Sequence, residues 1–292
     1  MEVVDVQVHI WDEDGPAFPW QPDFARRAGI AGATGNRHIA GSPVTTDTML
    51  AAMNSAGVDA AIIVSPSLYG YDARYALAAA RAHPRRFRVV GYVDHEAPDV
   101  AERVQAWAAQ EHAVGLRLIL MSDAAWQAAE AGAYDAFLRA AARAGQPVCF
   151  FSARHMFRVP DLVRRVPDVS LVVDHVGLLQ PPMEIDPATR FDALPHLLAL
   201  AHYPNLSVKL SGLPTLSTED WPYADVRPAM HAVVGAFGID RVMWGSDWTR
   251  CPPRFTWRDA VRFIRDADDL SAEEKEKLLG GNLRRIYGWP RG

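Results

Sequence analysis

Cysteine is scarce in this chain: only Cys149 and Cys251 occur, one inside an apolar run and the other in a proline-rich turn. That excludes a disulfide framework and points to a reduced, cytoplasmic setting. Long apolar runs are missing as well, since no stretch reaches the roughly 20 residues of a membrane-spanning helix. The opening MEVVDV lacks the basic segment followed by an apolar one that marks a secretory leader. Positive charge is in short supply: 30 Lys and Arg stand against 35 Asp and Glu, for a formal net charge of −5. No basic stripe suits a phosphate backbone, so neither nucleic acid nor membrane is an expected partner. No GxSxG elbow appears, and the glycines of GIAGATGN (29–36) follow no strand, which argues against a serine hydrolase and against a dinucleotide site.

What is present is a repeated alternation. Eight β-rich runs recur: VVDVQVHI (3–10), AAIIVS (60–65), RVVGYVD (88–94), VGLRLIL (114–120), PVCFFS (147–152), SLVVDH (170–175), LSVKLSG (206–212) and RVMWGSD (241–247). Helical stretches separate them, at 46–55, 72–82, 98–110, 124–144, 160–165, 191–201, 226–237 and from Thr256, with a capping box at Ser271 and Glu274. Strand–helix alternation calls for a parallel sheet with helices outside. Eight such units in 292 residues fit one closed (β/α)8 barrel, a TIM barrel, over residues 1–292. Two connections are long, 12–45 after the first strand and 213–225 after the seventh, and loops in those places serve as lids and specificity elements.

In a barrel all strand C-termini share one rim, where barrel enzymes keep their active sites. Those ends carry His9, Ser65, Asp94, Arg117, Ser152 with Arg154 and His155 just beyond, Asp174 and His175, Lys209 and Ser211, and Asp247. Any one of them alone reads as a cap or a structural group. His9, His175 and Asp247 together, each closing a strand of the same barrel, read as a site. In VDVQVHIW (4–11) a period of two puts Val4, Val6, Val8 and Ile10 on one face and Asp5, Gln7 and His9 on the other. Arg117 lies among apolar strand residues, so it is either paired to a neighbour such as Asp94 or is a clamp for a substrate carboxylate or carbonyl. Lys209 shares a strand face with Ser207 and Ser211. Trp11, Trp20, Trp221, Tyr223 and Trp248 suit a pocket and core packing equally well. Without a protein nucleophile, water activated by a rim Asp is the expected attacking group.

The first strand ending in Gln-x-His-x-Trp, VVDHVG (172–177), SVKLSG (207–212), RVMWGSDW (241–248) and the closing GNLRRIYGW (281–289) resemble the amidohydrolase superfamily, within it the lactonase branch of the amidohydrolase 2 family. The resemblance spans the whole chain in order. It implies a barrel that opens a small lactone, of the sugar or the pyrone and muconate type, with water. Carried over by position, it makes Asp247 the base, places His9, His155 and His175 around it, and has Arg117 and Arg154 hold carbonyl or carboxylate oxygens; Gln7, Lys209 and Trp248 join the substrate-binding set.

The chain departs from the family in its first strand. Metal-dependent members carry His-x-His there, and here the first position is Gln7, a poor ligand for a transition metal. The expectation is therefore a site that requires no metal, with one zinc held by His9, His155, His175 and Asp247 as the alternative. A metal-dependent, non-oxidative decarboxylase is the alternative function. The expected partner is a small lactone or carboxylic acid, and the expected assembly a monomer or homodimer.

Overall fold

A computed structural model of the chain describes residues 1–22, 43–181, 185–251 and 255–291. The eight expected strands are all present: β1 Val4–Val8, β2 Ala60–Val64, β3 Phe87–Gly91, β4 Ala113–Ile119, β5 Val148–Phe151, β6 Leu171–Val173, β7 Leu206–Lys209 and β8 Val242–Met243. They form one parallel sheet in sequence order. Two backbone bonds close it on itself: Val6 N–H donates to Trp244 O at 3.3 Å, and Asp247 N–H donates to Gln7 O at 3.1 Å. The molecule is a (β/α)8 barrel.

Apolar residues fill two layers. Val4, Val6, Ile62, Val64, Val90, Cys149, Val172 and Met243 pack inside the barrel, where Leu283, Tyr287 and Trp289 of the C-terminal segment plug the end at which the strands begin. Val8, Ile10, Ile63, Val89, Leu116 and Phe150 pack outward under the helices. The strand C-termini are left to form the open mouth.

Ten helices matter to the outer layer: α1 Thr46–Ala56, α2 Arg74–Ala82, α3 Val100–Ala108, α4 Asp123–Glu130, α5 Asp135–Arg143, α6 Val159–Arg165, α7 Leu194–Leu198, α8 Arg227–Phe237, α9 Trp257–Arg265 and α10 Ala272–Glu276. The single helix expected over 124–144 is two, because Gly132 takes a left-handed φ of 85° between α4 and α5. The capping box at Ser271 and Glu274 forms at the start of α10. Residues 23–42 of the first long loop lie outside the described residues, and the second long loop contains short helical turns at Leu213–Leu216 and Ala224–Val226. Among the described residues no helix is long and apolar enough to cross a membrane.

The alternation expected for β1 does not hold through the strand. Val4 pairs with Ala60 and Asp5 with Ala61, but Val8 pairs with Ile63, so one extra residue is accommodated between Asp5 and Val8. That bulge reverses the phase. Val4 and Val6 face the barrel interior with Asp5 turned out, whereas beyond the bulge Val8 and Ile10 face the helices.

Candidate active site

Past the bulge, Gln7 and His9 turn into the barrel and meet a buried lysine. Lys209 Nζ, with no measurable exposure, donates to Gln7 Oε1 at 2.8 Å. An ammonium can only donate, so the amide orientation follows, and Gln7 Nε2 faces His9 Nε2 at 3.3 Å. On its other side His9 Nδ1 lies 2.7 Å from Val64 O, which can only accept. His9 Nδ1 therefore carries a proton that it donates to Val64 O, and Nε2 is left facing Gln7 and Asp247.

Lys209 also pairs with Asp174 Oδ1 at 2.9 Å, and Asp174 Oδ2 receives Arg117 Nε at 2.9 Å. Burial works against the charge on Asp174, but Lys209 and Arg117 outweigh it and hold the carboxyl well below its ordinary range. Arg117 donates in turn to the Tyr92 hydroxyl at 3.2 Å. The sequence offered Asp94 as the partner for Arg117; the structure gives Asp174, because the inward-facing side chain of β4 reaches past β5 to the residue that follows β6.

Asp247 sits where β8 leaves the ladder. Its Oδ1 is 3.3 Å from His9 Nε2 and its Oδ2 is 3.7 Å from His175 Nε2. Arg250 Nε lies 3.8 Å from Oδ2. Burial opposes the charge on Asp247 too, yet His175, His9 and Arg250 overcome it and keep the carboxyl strongly lowered. His175 is fully buried with Nδ1 at 2.8 Å from Ser211 Oγ. Burial pushes its pKa down to about 4, only partly opposed by Asp247 and Asp174, so the ring is neutral at pH 7.

Both residues are placed by strained backbone. His175 has φ 54° and Asp247 φ 49°, left-handed conformations that cost a non-glycine residue of order 1 kcal/mol. A carboxylate outside the barrel holds the Asp247 turn. Asp5 accepts from Ser246 N–H at 3.0 Å, from Gln7 N–H at 2.9 Å and from Trp257 Nε1–H at 2.9 Å, tying the β1 bulge, the β8 exit and α9 together. Burial pushes its carboxyl up to about 7 against those donors. Gly245 permits the close approach, since a Cβ there would lie 2.9 Å from Val6 Cγ1.

Asp247 Oδ1 and Oδ2 and His175 Nε2 converge between these side chains. Neither Asp247 oxygen has a well-aligned hydrogen bond, and His175 Nε2 has none. Buried acceptors facing one another require a water's protons or a cation between them. Two imidazole nitrogens and a carboxylate are a donor set that zinc accepts, and ligands around tetrahedral zinc stand roughly 3.4 Å apart, close to the spacings seen. As placed, the described side chains do not form a closed group of three metal-holding residues. His9, His175 and Asp247 are nonetheless residue types that zinc takes as ligands, with Asp247 lying between the two imidazoles. A second cation beside Gln7 is opposed by the Lys209 ammonium.

Not every expected residue arrives here. The described contacts of His155 lie away from Asp247: its Nδ1 is 3.8 Å from Asp123 and its ring 6.5 Å from that of Trp126, because the chain turns outward at Ser152–His155 as it leaves β5. Arg154 is exposed and lines a separate pocket with Leu178, Ile185 and Thr189. Trp248 stacks on Trp257 at 5.2 Å. Trp11 and Tyr223 are buried packing residues. Tyr92, Arg250 and Asp5 were not singled out for the site. Tyr92 stands just past β3, and Arg250 three residues past Asp247; an arginine or tyrosine following a strand end is the signal that would have found them.

A sequence model of the amidohydrolase family matches residues 4–289. The L-fucono-1,5-lactonase of Burkholderia ambifaria is 30% identical over 246 residues, covering 79% of this chain and 80% of its own. Among solved structures, an amidohydrolase of Burkholderia multivorans solved with bound zinc is 24% identical with a TM-score of 0.75, covering 99% of this chain and 100% of its own. The 5-carboxyvanillate decarboxylase of Sphingomonas paucimobilis is 16% identical with a TM-score of 0.66 over 98% and 99% of the two chains. By a family match that runs nearly from end to end, through all eight strands and the site at their mouth, this chain belongs to the amidohydrolase family.

Proposed function

We propose that the protein opens a small cyclic ester with water, Asp247 serving as the proton acceptor. The observation that carries this is the buried Asp247 between the imidazoles of His9 and His175, its carboxyl held strongly low and both its oxygens without a hydrogen bond. Likeness to a lactonase at 30% identity supports the choice of an ester.

Asp247 orients a water and takes its proton as the oxygen adds to the ring carbonyl. The carbonyl oxygen gains negative charge and needs donors that are already in place, which Arg250 and Arg117 supply from either side of the mouth. The neutral imidazole of His175 accepts the water's other hydrogen bond, and the proton taken by Asp247 then passes to the departing ring oxygen. A divalent cation bound by His9, His175 and Asp247 would add Lewis acidity and lower the pKa of that water. The zinc seen in the Burkholderia multivorans amidohydrolase supports that alternative over the expectation of a site needing no metal.

Metal-dependent decarboxylation is the second reading. The acceptor cluster suited to a cation favours it, as does likeness in fold to the carboxyvanillate decarboxylase. One screen separates the two: aldonolactones, pyrone and muconate lactones, and hydroxybenzoate acids are offered before and after chelation and readdition of zinc. Hydrolysis releases acid from a lactone with no gas, and chelation lowers it at least tenfold. Carbon dioxide released from an aromatic acid, with every lactone inert, would replace the proposal by the second reading.

A further inference from the structure

One buried ammonium touches the residues beside both imidazoles that flank Asp247. Lys209 Nζ donates to Gln7 Oε1 at 2.8 Å and lies 2.9 Å from Asp174 Oδ1. Gln7 stands two residues before His9 and faces its Nε2 at 3.3 Å, and Asp174 immediately precedes His175. Just past the end of β7, Ser211 Oγ meets His175 Nδ1 at 2.8 Å. The same short stretch of chain therefore holds the His175 ring directly and its turn through Asp174. Burial opposes the charge on Lys209, but Asp174 outweighs it and keeps the group above its ordinary range.

Neither imidazole is placed by regular backbone. His175 and Val176 carry φ of 54° and 50°, conformations that persist only where the surroundings impose them. Gln7 and His9 enter the barrel through the stretch of β1 whose register to β2 shifts. Lys209 itself is enclosed by protein partners: besides Gln7 and Asp174, Cys149 and Tyr287 of the interior layer stand near enough for the ammonium to oppose the rise that burial gives each. The Asp247 oxygens and His175 Nε2, by contrast, have no hydrogen bond. A lysine that served packing alone would be replaced by an apolar side chain of its length without the cost of desolvating a charge.

We propose that Lys209 is a positioning residue for the attack of water: it sets the places of both imidazoles about Asp247, His9 through Gln7 and His175 through Asp174, and does not itself touch substrate. Gln7→Met cuts the arm toward His9 and leaves Lys209, Asp174 and Arg117 paired. Lys209→Met cuts both arms. The inference rests on the hydrolytic reading for its kinetic test, though not for the placement of the rings.

The test reads the rings directly, by NMR of the intact, chelated protein carrying isotope-labelled histidine. Gln7→Met should move the ring signals of His9 and leave those of His175. Lys209→Met, which removes no contact to either ring, should move both and leave the exposed His202 and His231 where they were. With the best lactone of the screen, Gln7→Met should lower kcat about tenfold and Lys209→Met about a hundredfold, with KM within about twofold of wild type. Adding Gln7→Met to Lys209→Met should cost nothing further, since the two act along one path. Unmoved His9 and His175 signals in Lys209→Met, signals displaced throughout the protein, or a double variant whose losses add would overturn the proposal and leave lactone hydrolysis standing. Gln7→Met keeps the buried ion pairs, so an unchanged kcat in that variant would overturn the proposal even if Lys209→Met failed to fold. Ring signals that move as expected, with no lactone opened by wild type, would overturn the hydrolytic reading and keep the positioning role.

Discussion

His175 and Asp247 owe their placement to a backbone conformation that neither side chain favours, and each is held there by its surroundings. For His175 those surroundings also set a pH dependence. The ring is buried neutral with its pKa near 4, below the 6.5 of an unfolded chain. A depressed histidine contributes stability that is present above pH 6.5 and is lost as the pH falls toward 4, because the unfolded chain then binds a proton the folded one refuses. The size is of order 3 kcal/mol. Urea unfolding of metal-free protein at pH 7.5 and 4.5 should therefore show a steeper loss for wild type than for His175→Gln. Parallel losses would mean that His175 is solvated or charged when folded.

At the scale of the element, the β1 bulge decides what the site contains. Without the extra residue Gln7 and His9 would keep the phase of Asp5 and point into the helical layer. Asp5 holds the bulge, the β8 exit and α9 through three N–H donors. Asp5→Ala strands those donors in a buried place, at a cost of about 3 kcal/mol or more. It should lower the urea midpoint and, by releasing the Asp247 turn, lower kcat more than it raises KM. A variant of ordinary stability and full activity would remove Asp5 from this role. The bulge was not legible in VDVQVHIW, since an offset in register exists only relative to the partner strand β2. The break at Gly132 was equally hidden, because the apolar spacing of 124–144 continues across it. The strand order, the barrel and the rim positions of His9, Arg117, His175, Lys209 and Asp247 could be read directly, since each follows from strand ends in a fold where all such ends meet. The turn at His155 and the pairing of Arg117 with Asp174 depended on contacts between separate elements that local sequence does not encode.

Over the whole molecule, closure of the sheet brings residues from the two ends of the chain to within hydrogen-bonding distance: Gln7 and Lys209, His9 and Asp247. The helical layer and the C-terminal plug supply the stability. The mouth keeps the buried charged side chains and the unpaired acceptors, which is where function is expected to strain the fold. The central claim is that Asp247 is the base for water at that mouth. The direct measurement is the rate of acid release from the best lactone of the screen by wild type and by Asp247→Asn, with circular dichroism and the urea midpoint as checks on the fold. The account predicts a fall in kcat of about a thousandfold or more, with the fold retained. An Asn variant that turns over within a few fold of wild type would contradict it.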